Sequence, residues 1–184
     1  MVKKIVFLVI VLVLVGGGFF YWQNSQADVK DLNKMLPDGV KVVKSLISGE
    51  YKVVNKIDGY EFKVPEERGG LSDIEYIPKR IESDYTVATI ELEALEGDAR
   101  IVIINRFKLE ETDLEPWAKI NFDTFSLVGD FSKDTIKEFN IVKTQENVHL
   151  GGMYIYFFKT DDAIYAITGG SEDFIRYIIA NGKW

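Results

Sequence analysis

The chain has 184 residues, no cysteine, one histidine, and 29 acidic against 22 basic residues. The absent thiols exclude a disulfide framework, a lipid-modified cysteine and a cysteine nucleophile, and a single histidine leaves too few ligands for an ordinary zinc site. A net charge of −7, or −9 without the first 27 residues, repels phosphate backbones and anionic lipid headgroups, so nucleic acid is not an expected partner.

Residues 5–27 form 23 consecutive positions without a charge, and residues 5–15 are apolar throughout. A helix rises about 1.5 Å per residue, so the 18 residues 5–22 reach across a hydrocarbon core of about 30 Å. Lys3 and Lys4 precede the segment and hold the N-terminus in the cytoplasm, and Phe19, Phe20, Tyr21 and Trp22 suit the outer interface. Residues 1–27 are therefore expected to be a single-pass signal anchor in the cell membrane. A cleaved signal peptide is the alternative, because Ser25, Gln26 and Ala27 place small residues before Asp28. In both cases residues 28–184 form one extracytoplasmic domain, with 20 basic against 29 acidic residues.

Within that domain, residues 28–36 suit a short helix stopped by Pro37 and Asp38-Gly39. Residues 51–55 and 60–64 read as strands around the turn Ile57-Asp58-Gly59, and Pro65 ends the second. Residues 73–77 suit a short strand before Pro78. Residues 86–107 predict a hairpin with a two-residue loop at Glu96-Gly97, pairing Leu92 with Ile101 and Ile90 with Ile103 and setting Glu93 beside Arg100.

Thr112-Asp113-Leu114-Glu115-Pro116 has the capping residue, early acids and proline of a helix start, so a helix is predicted to about Phe122. A second is predicted over 132–139, with Ser132 as cap and Ile136 and Phe139 inward. Strands at 141–145, 153–159 and 163–168 follow, the last two joined by the tight turn Thr160-Asp161-Asp162. Ser171 is predicted to cap a final helix burying Phe174, Ile175, Ile178 and Ile179 and stopped by Asn181-Gly182. Hairpins with helices grouped apart predict an α+β class: an antiparallel β-sheet flanked by helices in α/β/α layers, preceded by one transmembrane helix.

Few residues suggest chemistry. His149 has no carboxylate beside it in sequence and reads as an ordinary turn residue; the acidic turns at Asp161-Asp162 and Glu96-Gly97-Asp98 lack the spaced ligands of a calcium loop. Glu91 and Glu93 are expected to face solvent, which gives no reason for the raised pKa of a general acid. No catalytic, cofactor or metal residues are assigned. Gly169, Gly170 and Ser171, between a strand and a helix, form a candidate anion site, although the lysine and spacing of a phosphate loop are missing. Among many aromatics, Trp117, Phe122, Phe125 and Phe131 are the candidate partner-binding residues, because residues 121–131 are too interrupted by polar positions to bury every ring.

Three segments resemble the PsbP-like family, that of the photosystem extrinsic subunit and its bacterial relatives. Gly59-Tyr60-Glu61-Phe62-Lys63-Val64-Pro65 is similar to the family's opening strand, Leu114-Glu115-Pro116-Trp117-Ala118 to the helix after its central hairpin, and Ala163-Ile164-Tyr165-Ala166-Ile167-Thr168 to the strand before its last helix. The resemblance covers roughly residues 52–184 and departs from the pattern at Glu66-Glu67-Arg68, where a family tryptophan often follows the opening proline. It implies an antiparallel sheet between helices and a binding or assembly role, with no catalytic residues to transfer. The expected function is a membrane-tethered binding or assembly module acting on a protein partner in the envelope. A carrier of a small apolar ligand, in a cavity lined by residues such as Tyr154 and Tyr156, is the alternative, and a hydrolase using Glu91 and Glu93 a distant third.

Overall fold

The computed structural model describes residues 27–65, 69–79, 84–122, 128–146 and 151–184. The apolar segment expected to anchor the chain, Phe125 and His149 lie outside the described residues. Among the described residues no helix is long and apolar enough to cross a membrane.

The domain opens with helix α1 (Ala27–Lys34), followed by strands β1 (Val40–Lys44), β2 (Tyr51–Asn55) and β3 (Tyr60–Val64), which form a three-stranded antiparallel sheet. Their burial alternates along each strand, with Val42, Val53 and Phe62 inward. Asn33 clamps α1 to the sheet: its side chain donates to the carbonyls of Val29 and Val42 and accepts from the Val42 N–H at 2.7–2.9 Å.

A second sheet has seven antiparallel strands. It contains β4 (Leu71–Ile77), β5 (Tyr85–Leu92), β6 (Ile101–Lys108), β7 (Ser132–Ile136), β8 (Phe139–Gln145), β9 (Tyr154–Lys159) and β10 (Ala163–Gly169), in the order β4-β5-β6-β10-β9-β8-β7. Helix α2 (Leu114–Phe122) follows β6, and helix α3 (Glu172–Asn181) follows β10. The class is α+β, as expected, but one cover of the large sheet is mixed. Its first face carries Ile90, Val102, Ile104, Tyr156, Phe158, Tyr165 and Ile167, packed in one core with the three-stranded sheet, α1 and α3. Its second face carries Val142, Ile155, Phe157, Ile164 and Ala166 beneath Trp117 and Ala118 of α2.

Two sequence expectations are corrected. Residues 132–139 are not helical but form the β7–β8 hairpin, in which Ile136 pairs with Phe139 and Asp134 with Ile141. The three-residue spacing of Ile136 and Phe139 that suggested a helix face also places two residues opposite one another across a two-residue turn. Lys137 takes the left-handed conformation there, at φ 52°. The β5–β6 register is shifted by one residue: Ile90 lies opposite Val102, Ala88 opposite Ile104, and Glu91 opposite Ile101. Arg100 accordingly pairs with Glu91 at 3.0 Å rather than with Glu93. The hairpin is closed by residues 93–100, which include a 3₁₀ turn at Gly97–Arg100, rather than by two residues. Because the sheet is covered on both faces, β6 is apolar in both rows, and alternation does not single out one register.

Candidate functional site

Helix α2 is built to hold its aromatics against the sheet. The Trp117 N–H donates to the Asp113 carbonyl at 3.1 Å, Lys119 bridges to Glu115 at 2.8 Å, and the Asn121 amide closes onto the Trp117 carbonyl at 2.8 Å. This leaves Trp117 only 2% exposed. Its ring meets Phe107 nearly edge-on at 5.0 Å between centroids, and Phe107 in turn meets Phe122 at 5.8 Å. Phe157, from β9, completes the cluster at 4.8 Å from Phe122 and 6.3 Å from Phe131. Three of the sequence-predicted aromatics, Trp117, Phe122 and Phe131, thus come together around one sheet residue. Trp117 is core, whereas Phe122 and Phe131 are half-buried.

The nine residues of α2 cannot cover a face seven strands wide, and an open groove of about 850 Å³ remains beside it over β5 and β6. Tyr85, Asn105, Phe107, Trp117 and Phe122 line it, with Lys108 among the charged lining residues. Tyr85, 42% exposed, leans on Phe107 at 5.1 Å. Among the described residues the buried indole N–H of Trp117 has no hydrogen-bond partner, a deficit that costs about 1–3 kcal/mol in a folded protein. A second groove of about 850 Å³ lies on the other side of α2, over β7 and β8, and has a more charged lining that includes Glu115, Lys119, Lys133 and Asp134. Sequence reasoning missed Tyr85, Asn105 and Phe107. The odd positions of β6 carried the signal, but only in the observed register do they line the α2 face.

The candidate anion site reads differently in three dimensions. A side chain at Gly170 would meet the backbone of the 3₁₀ turn, 2.5 Å from the Ala99 Cα, so glycine is needed there for close approach. Gly169 ends β10 between Val102 and Tyr154. Ser171 caps α3 by accepting from the Phe174 N–H at 3.4 Å. The adjoining space holds the carboxylate of Glu172, which accepts from Lys143 at 2.7 Å and closely from the Tyr156 hydroxyl. Asp134 accepts closely from Arg176 and lies 3.6 Å from Lys143. Lys143 lies directly opposite Tyr156 across β8 and β9, and Asp134 lies diagonally across on β7, two residues along from the position opposite Lys143, so α3 is tied to this edge by one polar cluster. The hydrogen bond from Lys143, then that from Tyr156, holds the Glu172 carboxyl below its ordinary value. Burial, then the hydrogen bond to Glu172, pushes Tyr156 up to about 12.

A second polar group, also unread in the sequence, joins the two sheets. Asp58, in the β2–β3 turn, accepts from the Asn55 amide and from the Tyr76 hydroxyl of β4, both at 2.8 Å. Glu91 lies against Arg100 on the surface. Among the described residues no group of three or more histidine, aspartate or glutamate side chains converges as a metal site.

No protein family, curated protein or solved structure matches the chain. What the structure defines is an α+β domain of two stacked antiparallel sheets, with an aromatic-floored groove on one side of the covering helix α2 and a charged groove on the other.

Proposed function

We propose that the protein is a membrane-tethered extracytoplasmic binding module that acts through protein contacts, and that its contact site is the groove between α2 and strands β5–β6. One observation carries this reading: an aromatic floor left open beside α2, with a Trp117 N–H that has no partner among the described residues and with Ile120 of the same helix 76% exposed. Exposed apolar area next to a concave site that sets aromatic rings among the polar side chains of Asp84, Asn105, Lys108, Glu110 and Asn121 is the ordinary form of an interaction surface. The uncharged segment 5–27 with Lys3 and Lys4 supports the tether. The PsbP-like resemblance of residues 59–65, 114–118 and 163–168 supports an assembly role within the same proposal.

Site-specific photo-crosslinking in intact membranes tests it. A benzophenone side chain at Tyr85 is expected to give a discrete adduct that disappears when Ile120→Asp is added. The same label at the exposed turn residue Lys137 should give none. Equal yields at 85 and 137 refute the assignment. The groove's volume also lies in the range of small-ligand sites, which supports the carrier reading there rather than around Tyr156, whose side chain is fully buried and bonded to Glu172. A co-purifying small molecule in native mass spectra, released by Phe122→Ala, would favour that reading.

A further inference from the structure

We propose that the outward face and hairpin tip of the three-stranded sheet rest on the anionic surface of the bilayer in which the chain is tethered. This inference deepens the tethered reading and depends on it.

The tip between β1 and β2 carries Leu46, half exposed, and Ile47, fully exposed at 100% of its surface. Ile47 is left wholly to solvent at the loop tip, and Val43, also exposed, lines the same shallow depression. Behind the tip, the strand register sets Val43, Lys52 and Lys63 in one outward row, with Lys41, Val54 and Glu61 in the next. Lys52 and Lys63 stand directly opposite one another, an arrangement that is unfavourable unless anions are near. Glu61 and Glu50 supply part of that compensation, at 2.8 and 3.2 Å. Glu61 is shared with Lys183 at 2.9 Å, so the face retains positive charge. Over residues 40–64 the sequence has five lysines against three acids, within a chain of net −7. The basic surface is therefore local to this sheet.

An apolar tip flanked by lysines is the surface chemistry of interfacial membrane contact: the tip enters the headgroup region and the ammonium groups meet lipid phosphates. The tether keeps that surface within reach. Trp22 and Ala27 are five residue steps apart, a span of at most about 18 Å. Ala27 begins α1, which Asn33 fastens to β1.

The chain has no cysteine, so single labels can be placed cleanly on the full-length protein in phosphatidylglycerol-containing vesicles. An environment-sensitive fluorophore is attached to Ile47→Cys or, as reference, to Ile120→Cys, which is 76% exposed on α2 beyond the opposite face of the large sheet. Quenchers borne on shallow lipid positions are expected to reduce the label at 47 about twofold or more relative to that at 120. Lys52→Glu with Lys63→Glu, or vesicles of phosphatidylcholine alone, should remove the difference. Equal quenching at 47 and 120 in vesicles that retain the protein overturns the contact and leaves the tether standing. Protein that fails to float with vesicles overturns both. Disulfide-linked dimers of the unlabelled Ile47→Cys variant, with no lipid quenching of the labelled one, would assign the tip to a second copy of the chain and overturn the proposal equally.

Discussion

Gly182 provides a sharp test of how the C-terminus is held. A glycine just past a helix is commonly there for a left-handed backbone, but Gly182 sits at φ −88°, where any residue is at ease. On conformational grounds alone, Gly182→Ala would stabilise the protein by about 0.4–1 kcal/mol by restricting the unfolded chain. Packing predicts the opposite. A Cβ at 182 would lie 2.3 Å from Nε1 and 2.5 Å from Cε2 of Trp184. The indole would have to leave its place, where it stacks on Tyr60 and Phe62 at 5.5 and 6.1 Å and meets Phe158 and Tyr165 edge-on at 5.3 and 5.1 Å. Its N–H would also lose the Ile179 carbonyl at 3.2 Å. Trp184 is half-buried, so complete loss corresponds to the lower end of the core tryptophan range, about 3 kcal/mol. Partial accommodation makes Gly182→Ala cost about 1–3 kcal/mol, or a fall in Tm of roughly 2–4 °C per kcal/mol for a chain of this size. Urea unfolding of the wild type, both single variants and the double variant closes the cycle. In a Trp184→Ala background the alanine at 182 should be neutral or stabilising. The clash with Trp184 is refuted if Gly182→Ala stabilises the wild type, or if its cost is unchanged without the indole.

Other expectations follow from the same contacts. Gly170→Ala should destabilise by about 1–3 kcal/mol in urea, because the clash is with the Ala99 backbone rather than with a side-chain end. For Glu172 the folded pKa is depressed from 4.5. The stability it contributes is therefore complete above the unfolded carboxyl's titration and drains as pH falls through the lower folded value. NMR titration of its side-chain carboxyl should give a midpoint below 4.5 in the wild type and a higher one in Lys143→Met. An unchanged midpoint would remove Lys143 as the leading cause.

Elements with a local signature were legible in the sequence. Tyr51–Asn55 and Tyr60–Val64 were readable from alternation around a turn, and Glu172–Asn181 from its serine cap, early acids and helical stripe. What failed depended on partners distant in sequence. The strand Ser132–Ile136, paired with Phe139–Gln145, is joined to the final helix where Asp134 meets Arg176, 42 residues away. The first strand, Val40–Lys44, has the length and pattern of Tyr51–Asn55 and was equally legible. The candidate aromatics Trp117, Phe122 and Phe131 were found as a group, because they lie in or near one helix. The groove needs in addition Tyr85, Asn105 and Phe107 from β5 and β6, whose placement depends on the register. A hairpin apolar on one face fixes its own register; this one is apolar on both and takes its register from the layers around it.

Those layers also relate the two proposed surfaces. The three-stranded sheet packs its inner side on the first face of the large sheet, and α2 lies on the second. The lysine row and Ile47 therefore sit on the far side of the domain from the groove lined by Tyr85 and Phe122. A domain resting on the bilayer through the small sheet turns α2 and its groove away from the lipid, toward partners in the aqueous compartment. The order of contacts follows from this geometry: charge reversal at Lys52 and Lys63 should loosen the domain on its tether and broaden the set of residues that crosslink to lipid. The groove's crosslinks through position 85 should survive it, because no part of that groove is built from the three-stranded sheet.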